Sequence, residues 1–210
     1  MNVTSLRPRF IRCFDPVARF FVRLGVTPNQ ISLFALLLGI LCAICYAQRY
    51  FLVGSVFLFL SGLCDLIDGS VARMVSKDTP FGAVFDWIVD KYVDGLAIFA
   101  VGVSAIPILT RLFPLPGTAD FAIVTLAIIG SLMNTFIKPV TYAEAGYRER
   151  VAGKIDDPLE KVGFFGRPET LLVLILGGVS GYIWVTIIII AVCTHISALH
   201  RIIYLYRRFS

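Results

Sequence analysis

The sequence predicts an all-α integral membrane protein, with six transmembrane helices preceded by an N-terminal amphipathic helix at the membrane interface. Three observations predict it. The chain is 58% hydrophobic and only 16% charged, with a mean hydropathy of +0.84, beyond the apolar share of water-soluble domains. Its apolar residues gather into runs close to the roughly 20 residues that a helix needs to cross a bilayer. Basic residues are plentiful in alternate connections and scarce in the others, the asymmetry that orients membrane helices.

Residues 1–24 carry Arg7, Arg9, Arg12, Arg19 and Arg23 among Phe10, Ile11, Phe14, Val17, Phe20, Phe21 and Leu24. Basic and aromatic residues at helical spacing suit a helix lying in the headgroup layer; a plain positively charged anchor is the alternative. This polar, arginine-bearing start has no cleavage site, so no signal peptide is expected. Gly25 ends the juxtamembrane helix, and 25–210 reads as one six-helix domain. Thr27 is placed to cap the first span, and Pro28 suits its first turn.

The spans are predicted over 28–47, 51–74, 82–105, 119–140, 168–181 and 183–205. A sharp connection at 48–50 and the Pro107, Pro114, Pro116, Gly117 cluster separate the better-defined ones. The fifth is short, with Gly177, Gly178 and Gly181 near its end and an alternative start near Pro158. With both termini cytoplasmic, the inside segments hold the five N-terminal arginines, Arg73 and Lys77, the set from Lys138 to Arg167, and Arg201, Arg207 and Arg208. The outside holds only Arg49 and Arg111, while Lys91 lies within a span. A net charge of +5 then suits anionic lipid at the cytoplasmic face. Nucleic acid is not expected as a partner, because the basic residues lie between apolar spans rather than in one patch. Cys42 and Cys45 have C-x-x-C spacing inside an apolar run, with neither a second pair nor a nearby histidine. They read as helix packing rather than as a zinc or redox site.

The organising stretch runs from Asp65 to Asp90. It contains Asp65-Leu66-Ile67-Asp68-Gly69-Ser70-Val71-Ala72-Arg73, then eight residues, then Gly82, Asp86 and Asp90. At about 100° per residue, Asp65, Gly69, Ala72 and Asp68 share one face, at roughly 0°, 40°, −20° and −60°. Gly82, Asp86 and Asp90 form a second stripe, which Asp94 continues and from which Lys91 points away. The two residues of least bulk, Gly69 and Ala72, admit either a closely packed helix or a ligand near the backbone. Carboxylates in an apolar setting face a polar cavity, a partner or a substrate. Hard oxygen donors in this number suit Mg²⁺ or Mn²⁺, and two such ions can neutralise a diphosphate during phosphoryl displacement. One acid left partly free could take the proton of an attacking hydroxyl. A cation transporter or channel using the acids as a pathway is the rival reading from another class.

The pattern D-x-x-D-G-x-x-A-R-x8-G-x-x-x-D-x-x-x-D is met without departure, and it resembles the signature of the CDP-alcohol phosphotransferase family, membrane enzymes of phospholipid synthesis. The opening Thr27-Pro28-Asn29-Gln30-Ile31-Ser32 and the six-span layout are also similar to that family. The resemblance implies metal ligation by Asp65, Asp68 and Asp86, with Asp90 shared between metal contact and general-base duty. It implies a CDP pocket built from Asp65, Asp68, Gly69, Ala72, Arg73 and Gly82, with Arg73 near a phosphate. The acceptor hydroxyl of a polar alcohol would attack the lipid-side phosphorus of a CDP-lipid (CDP-diacylglycerol or CDP-archaeol) and expel CMP. A homodimer is also implied; the charge asymmetry places the acids near the cytoplasmic ends of the second and third spans, with the site open to the cytoplasm.

Lys138, Arg167 and Arg201 stand at predicted cytoplasmic span ends, and a phosphate-bearing acceptor needs cations of this kind. Thr135-Phe136-Ile137-Lys138 and Gly166-Arg167-Pro168-Glu169 resemble segments of phosphatidylinositol phosphate synthases, and Arg201 falls where those enzymes carry a final-helix arginine. The resemblance implies inositol 1-phosphate as acceptor, with glycerol 3-phosphate as the alternative. The chain departs from those enzymes at Pro139-Val140-Thr141, at Thr170 and in a longer stretch from Tyr147 to Gly163. For Lys138 and Arg201 the alternative role is snorkelling at a span end. His195 and His200 lack a paired ligand and read as helix contacts. Glu144, Glu149, Asp156, Asp157 and Glu160 read as a solvated charged loop. Asp94 is expected either to organise the site or to bond across helices.

Overall fold

Among the described residues the chain forms seven helices, and three of them start at caps formed by side chains the sequence places there. The computed structural model describes residues 7–75, 79–145, 150–151, 154–155, 159 and 162–209. In order come α1 (Arg7–Arg23), α2 (Pro28–Ala47), α3 (Phe51–Val75), α4 (Pro80–Val103), α5 (Thr118–Glu144), β1 (Arg150–Val151), β2 (Lys154–Ile155), α6 (Arg167–Ser180) and α7 (Ile183–Phe209). The all-α expectation holds; the described part of the stretch between α5 and α6 adds only one short antiparallel ladder, in which Arg150 pairs with Ile155, and Val151 with Lys154. Lys77, Arg148, Glu149, Asp156, Asp157, Glu160 and Lys161 lie outside the described residues.

Thr27 opens α2 with a reciprocal cap, accepting from the Gln30 amide while its own amide donates to Gln30 Oε1 at 2.9 Å. Thr79 caps α4 in the same position, accepting from the Gly82 amide at 3.0 Å, so that helix starts at Pro80 rather than at 82. At the start of α6, Glu169 reaches back to accept from the Gly166 amide at 2.9 Å. That cap, followed by Pro168, starts the helix at Arg167 and not near Pro158. Gly181 ends it in the left-handed region, at φ +78°.

Among the described residues, α2, α3, α5 and α7 are long and apolar enough to cross a membrane. The 24 residues of α4 include Asp86, Asp90, Lys91 and Asp94. The 14 residues of α6 extend only about 21 Å at 1.5 Å per residue.

The helices pack α2 against both α3 and α4, α5 against α7, α6 between α3 and α7, and α1 onto α3. Val93, Ala97, Ile98 and Val101 of α4 lie in the core with Cys42, Leu58, Ala127, Leu174, Ile187 and Ile190. Cys42 is thus a packing residue, as its apolar run implies. A smaller cluster joins Ala18 of α1 to Ile31, Ile67 and Val71 beside the acid-bearing turns of α3. The short α6 is held by close approach: a Cβ on Gly178 would lie 2.0 Å from Ser55 Oγ, and one on Gly177 would lie 2.0 Å from Thr186 Cγ2. Small residues let membrane helices meet in this way.

Asp120 fastens the end of the bundle where α4 leads into α5. One carboxylate oxygen accepts from the amides of Ile108, Leu109 and Thr110 at 3.1, 2.6 and 3.0 Å, and the other accepts from the Thr110 hydroxyl. Nearby, Arg49 donates to the Ser104 carbonyl, and the Arg111 guanidinium lies 5.2 Å from the centroid of Trp184.

Candidate active site

The site forms at the opposite end, where α3 and α4 bring their acids together. One carboxylate oxygen from each of Asp65, Asp68 and Asp86 lies within 4.8 Å of the other two. Two stripes expected from helical spacing therefore converge. Asp68 is only 5% exposed and is fixed by the Ser32 hydroxyl, which donates to its Oδ2 at 2.7 Å. Ser32 is a site residue that the acid pattern alone does not reveal; its signal is the Thr27-to-Ser32 opening, which starts α2 at the right height.

Asp90 stands against Arg167. The guanidinium reaches Asp65 Oδ2 through Nη1 at 2.8 Å and Asp90 Oδ1 through Nη2 at 2.7 Å. Such forked pairing is what a planar guanidinium offers and a lysine does not. On the third side, Arg167 Nε faces Asp94 Oδ1 at 3.6 Å. Asp94 is 1% exposed, and its Oδ2 accepts from Lys91 Nζ at 2.9 Å. Lys91 does not point away from the stripe, as its position on the helix suggested; its long stem folds back over three residues to reach Asp94.

Gly69 resolves the two readings of the small-residue face. Among the described residues a Cβ there would meet only Arg73 Nη1, at 3.5 Å, and no neighbouring helix occupies that space. The face is open to a ligand. Ala72 is half-buried and Arg73 exposed, with Arg73 Nη2 donating to Ser70 Oγ at 3.0 Å. At Gly82 an added Cβ would meet Thr79 Oγ1 and Asn29 Oδ1 at 3.1 and 3.2 Å.

The three candidate cations differ in setting. Arg167 is inside the acid cluster. Arg201, on α7, is 6% exposed and does not snorkel. Its Nε donates to the Val162 carbonyl at 3.0 Å, and its Nη1 donates to Asn134 Oδ1 at 2.8 Å and to the Asn134 carbonyl. Asn134 Nδ2 and Ser197 Oγ both donate to the Phe165 carbonyl, at 2.7 and 2.9 Å. Arg201, Asn134 and Ser197 thus clasp the segment that delivers Arg167 to the acids. Gly163 adopts φ +90° within that segment, and a Cβ there would lie 2.8 Å from Arg201 Nε. Lys138 is half-buried, one helical turn beyond Asn134 on α5. Of the histidines, His195 meets the Leu126 carbonyl through Nε2 at 3.1 Å, a contact between α7 and α5 away from the acids.

Three carboxylates from two helices, beside an open glycine face and a guanidinium, form a donor set of hard oxygens that fits a divalent cation bound with a phosphate-bearing molecule. Comparison with known proteins agrees. The pattern of the CDP-alcohol phosphatidyltransferase family matches residues 25–196. The archaetidylinositol phosphate synthase of Methanothermobacter thermautotrophicus is 26% identical over 98% of this chain and 95% of its own. The phosphatidylinositol phosphate synthase of Mycobacterium tuberculosis is 30% identical over 84% of this chain and 74% of its own. Crystal structures of a synthase of that name and organism share the fold. The form with CDP-DAG bound has a TM-score of 0.71 at 23% identity, covering 91% of this chain and 92% of that one. The form in complex with manganese and citrate has a TM-score of 0.72 at 23% identity, covering 91% and 88%.

Proposed function

The chain belongs to the CDP-alcohol phosphatidyltransferase family, and from that premise we propose that it transfers a phosphatidyl-type group from a CDP-lipid to the hydroxyl of inositol 1-phosphate, releasing CMP. It is a membrane transferase of phospholipid synthesis, and the transporter reading falls with the family assignment. The observation that carries the acceptor is the place of Arg167, whose guanidinium lies between Asp65 and Asp90. A cation built into the acid cluster gives an acceptor phosphate a partner beside the reacting groups. Lys138, one helical turn beyond Asn134, is the second candidate for that phosphate, and Arg201 adds positive potential from behind the wall that it clasps. The two curated relatives described above are named for inositol phosphate products.

Asp65, Asp68 and Asp86 would hold Mg²⁺ or Mn²⁺, with Asp90 shared between a second ion and the acceptor. Such ions, when bound, neutralise the diphosphate and stabilise charge on the oxygens exchanged at phosphorus. The chain's own residues do the rest. Gly69, Ala72 and Gly82 leave room for the CDP group, and Arg73 pairs with one of its phosphates. Arg167 binds the acceptor phosphate and orients the attacking hydroxyl. Asp90 takes that hydroxyl's proton as the new oxygen–phosphorus bond forms and the bond to CMP breaks. The donor is CDP-diacylglycerol or its archaeal ether counterpart, CDP-archaeol.

In the proposed topology α2 to α7 are six membrane helices of one domain over 25–210, with both termini and the site on the cytoplasmic side. The distribution of basic residues supports it, and α6 packs on α3 and α7 while Leu172, Leu176 and Val179 face outward, as a lipid-facing stripe would. Helix α1 lies along the interface, and residues 1–6 are outside the described residues. Ala18, Phe21 and Val22 of α1 pack inward while Val17, Phe20 and Leu24 remain exposed beside Arg19 and Arg23. The proposed assembly is a homodimer, on the family resemblance alone.

The test is CMP release by the purified protein with CDP-diacylglycerol, Mg²⁺ and, in turn, inositol 1-phosphate, glycerol 3-phosphate or serine. CMP with inositol 1-phosphate alone, and a matching lipid product, is the expected result. CMP only with glycerol 3-phosphate or serine overturns the acceptor.

A further inference from the structure

We infer that Asp94 is the positioning residue that holds Arg167 in place for the acceptor, an assignment that rests on Arg167 being the acceptor-phosphate cation. Three carboxylates surround the guanidinium: Asp65, Asp90 and Asp94. Two of them have other duties in the reaction. Asp65 belongs to the trio that converges with Asp68 and Asp86, and Asp90 faces the acceptor as its base. Neither can stay the permanent counter-charge of Arg167 while doing that work. Asp94 can. It sits one helical turn beyond Asp90 on α4, is 1% exposed, and takes no part in the trio.

Its two oxygens divide the task. Oδ2 accepts from Lys91 Nζ at 2.9 Å, which fixes the carboxylate's rotation and keeps the buried cluster from accumulating negative charge. Oδ1 faces Arg167 Nε at 3.6 Å, and neither atom has a hydrogen-bond partner. Two unpartnered, oppositely charged polar atoms that face each other in the interior are expected to close together once Nη1 and Nη2 turn toward another anion. Asp94 then holds the back edge of the guanidinium, and the acceptor phosphate takes the front.

The Asp94→Asn and Asp94→Glu variants of the full chain, purified in detergent, test this beside Arg167→Ala. The readouts are KM for inositol 1-phosphate, KM for CDP-diacylglycerol, and Mn²⁺ affinity by electron paramagnetic resonance. Loss of a buried charged contact is expected to raise the acceptor KM of Asp94→Asn about tenfold, with the lipid KM and Mn²⁺ affinity unchanged within about twofold. Asp94→Glu restores the charge and falls between Asn and the parent. An unchanged acceptor KM in Asp94→Asn, with Arg167→Ala raised, overturns the positioning role and leaves the acceptor reading standing. A parallel loss of Mn²⁺ affinity in Asp94→Asn also overturns it, by making Asp94 part of the metal centre. An unchanged acceptor KM in Arg167→Ala instead removes the acceptor reading itself. Should Asp94→Asn not yield monodisperse protein, Asp94→Glu carries the test, and an acceptor KM equal to the parent's overturns the inference.

Discussion

The hydroxyl of Ser32 on α2 donates to the carboxylate of Asp68 on α3 at 2.7 Å, and it does so inside the bundle rather than at its surface. Asp68 is thereby aimed at Asp65 and Asp86 before any ion arrives. Groups that orient a metal ligand from behind typically change affinity by about 10–100-fold when removed. Ser32→Ala is expected to weaken Mn²⁺ binding about tenfold, read by titration with the paramagnetic ion. Unaltered binding would show that Asp68 needs no such support.

Asp90→Asn is expected to lower turnover by about 10²–10⁴-fold, the usual worth of a positioned base. CDP-diacylglycerol should still bind, because Asp65, Asp68 and Asp86 remain. Single-turnover CMP release and equilibrium binding separate the two, and near-normal turnover would remove Asp90 as the proton acceptor.

Arg167→Lys keeps the charge but loses the fork that reaches Asp65 and Asp90 together. The expected result is an acceptor KM about tenfold higher, with a much smaller change for the CDP-lipid. Equal losses for the two substrates would place Arg167 in the shared metal site instead.

Arg201→Met and Asn134→Leu should each lower thermal stability: the first takes a donor from the Val162 carbonyl and from Asn134 Oδ1, and the second removes one of the two donors to the Phe165 carbonyl and one acceptor of the buried guanidinium. An unsatisfied buried group costs about 1–3 kcal/mol. Melting in detergent tests this, and unchanged melting would mean that the segment stays seated without its clasp.

Gly178→Val should destabilise the helix pair α3–α6 by about 1–3 kcal/mol through overpacking, since the first added carbon would already overlap Ser55 Oγ. Thermal unfolding of the variant measures it; a melting temperature equal to the parent's would show that α6 can move outward at no cost.

Much of this architecture is legible in the sequence because the starts of α2, α4 and α6 are written locally. Thr27 with Gln30, Thr79 with Gly82, and Gly166 with Glu169 mark starts that apolar runs alone locate only to within a turn. The apolar run of α5 stops at 140, yet the helix continues to Glu144, where Thr141 Oγ1 still donates to the Ile137 carbonyl. Hydropathy ends with the apolar residues; helical hydrogen bonding need not. The convergence of Asp65, Asp68 and Asp86 was readable from the two stripes. The partners of Lys91 and Arg201 were not. A helical wheel gives the direction of a Cβ, whereas a lysine stem reaches back across three residues to Asp94. Arg201 is buried because the 162–166 segment folds over it, a path that no periodicity encodes.

The four hydrogen bonds gathered by Asp120 give the molecule a stiff base at the end remote from the acids. The amide protons of Ile108, Leu109 and Thr110 are therefore expected among the slowly exchanging ones, although they lie in a connection rather than a helix. With that end pinned, the breathing that admits a nucleotide headgroup and releases CMP falls to the other end. Helix α4 would then be a lever anchored where it leads into α5, and small changes of its angle there would become the widest displacements at Asp86 and Asp90.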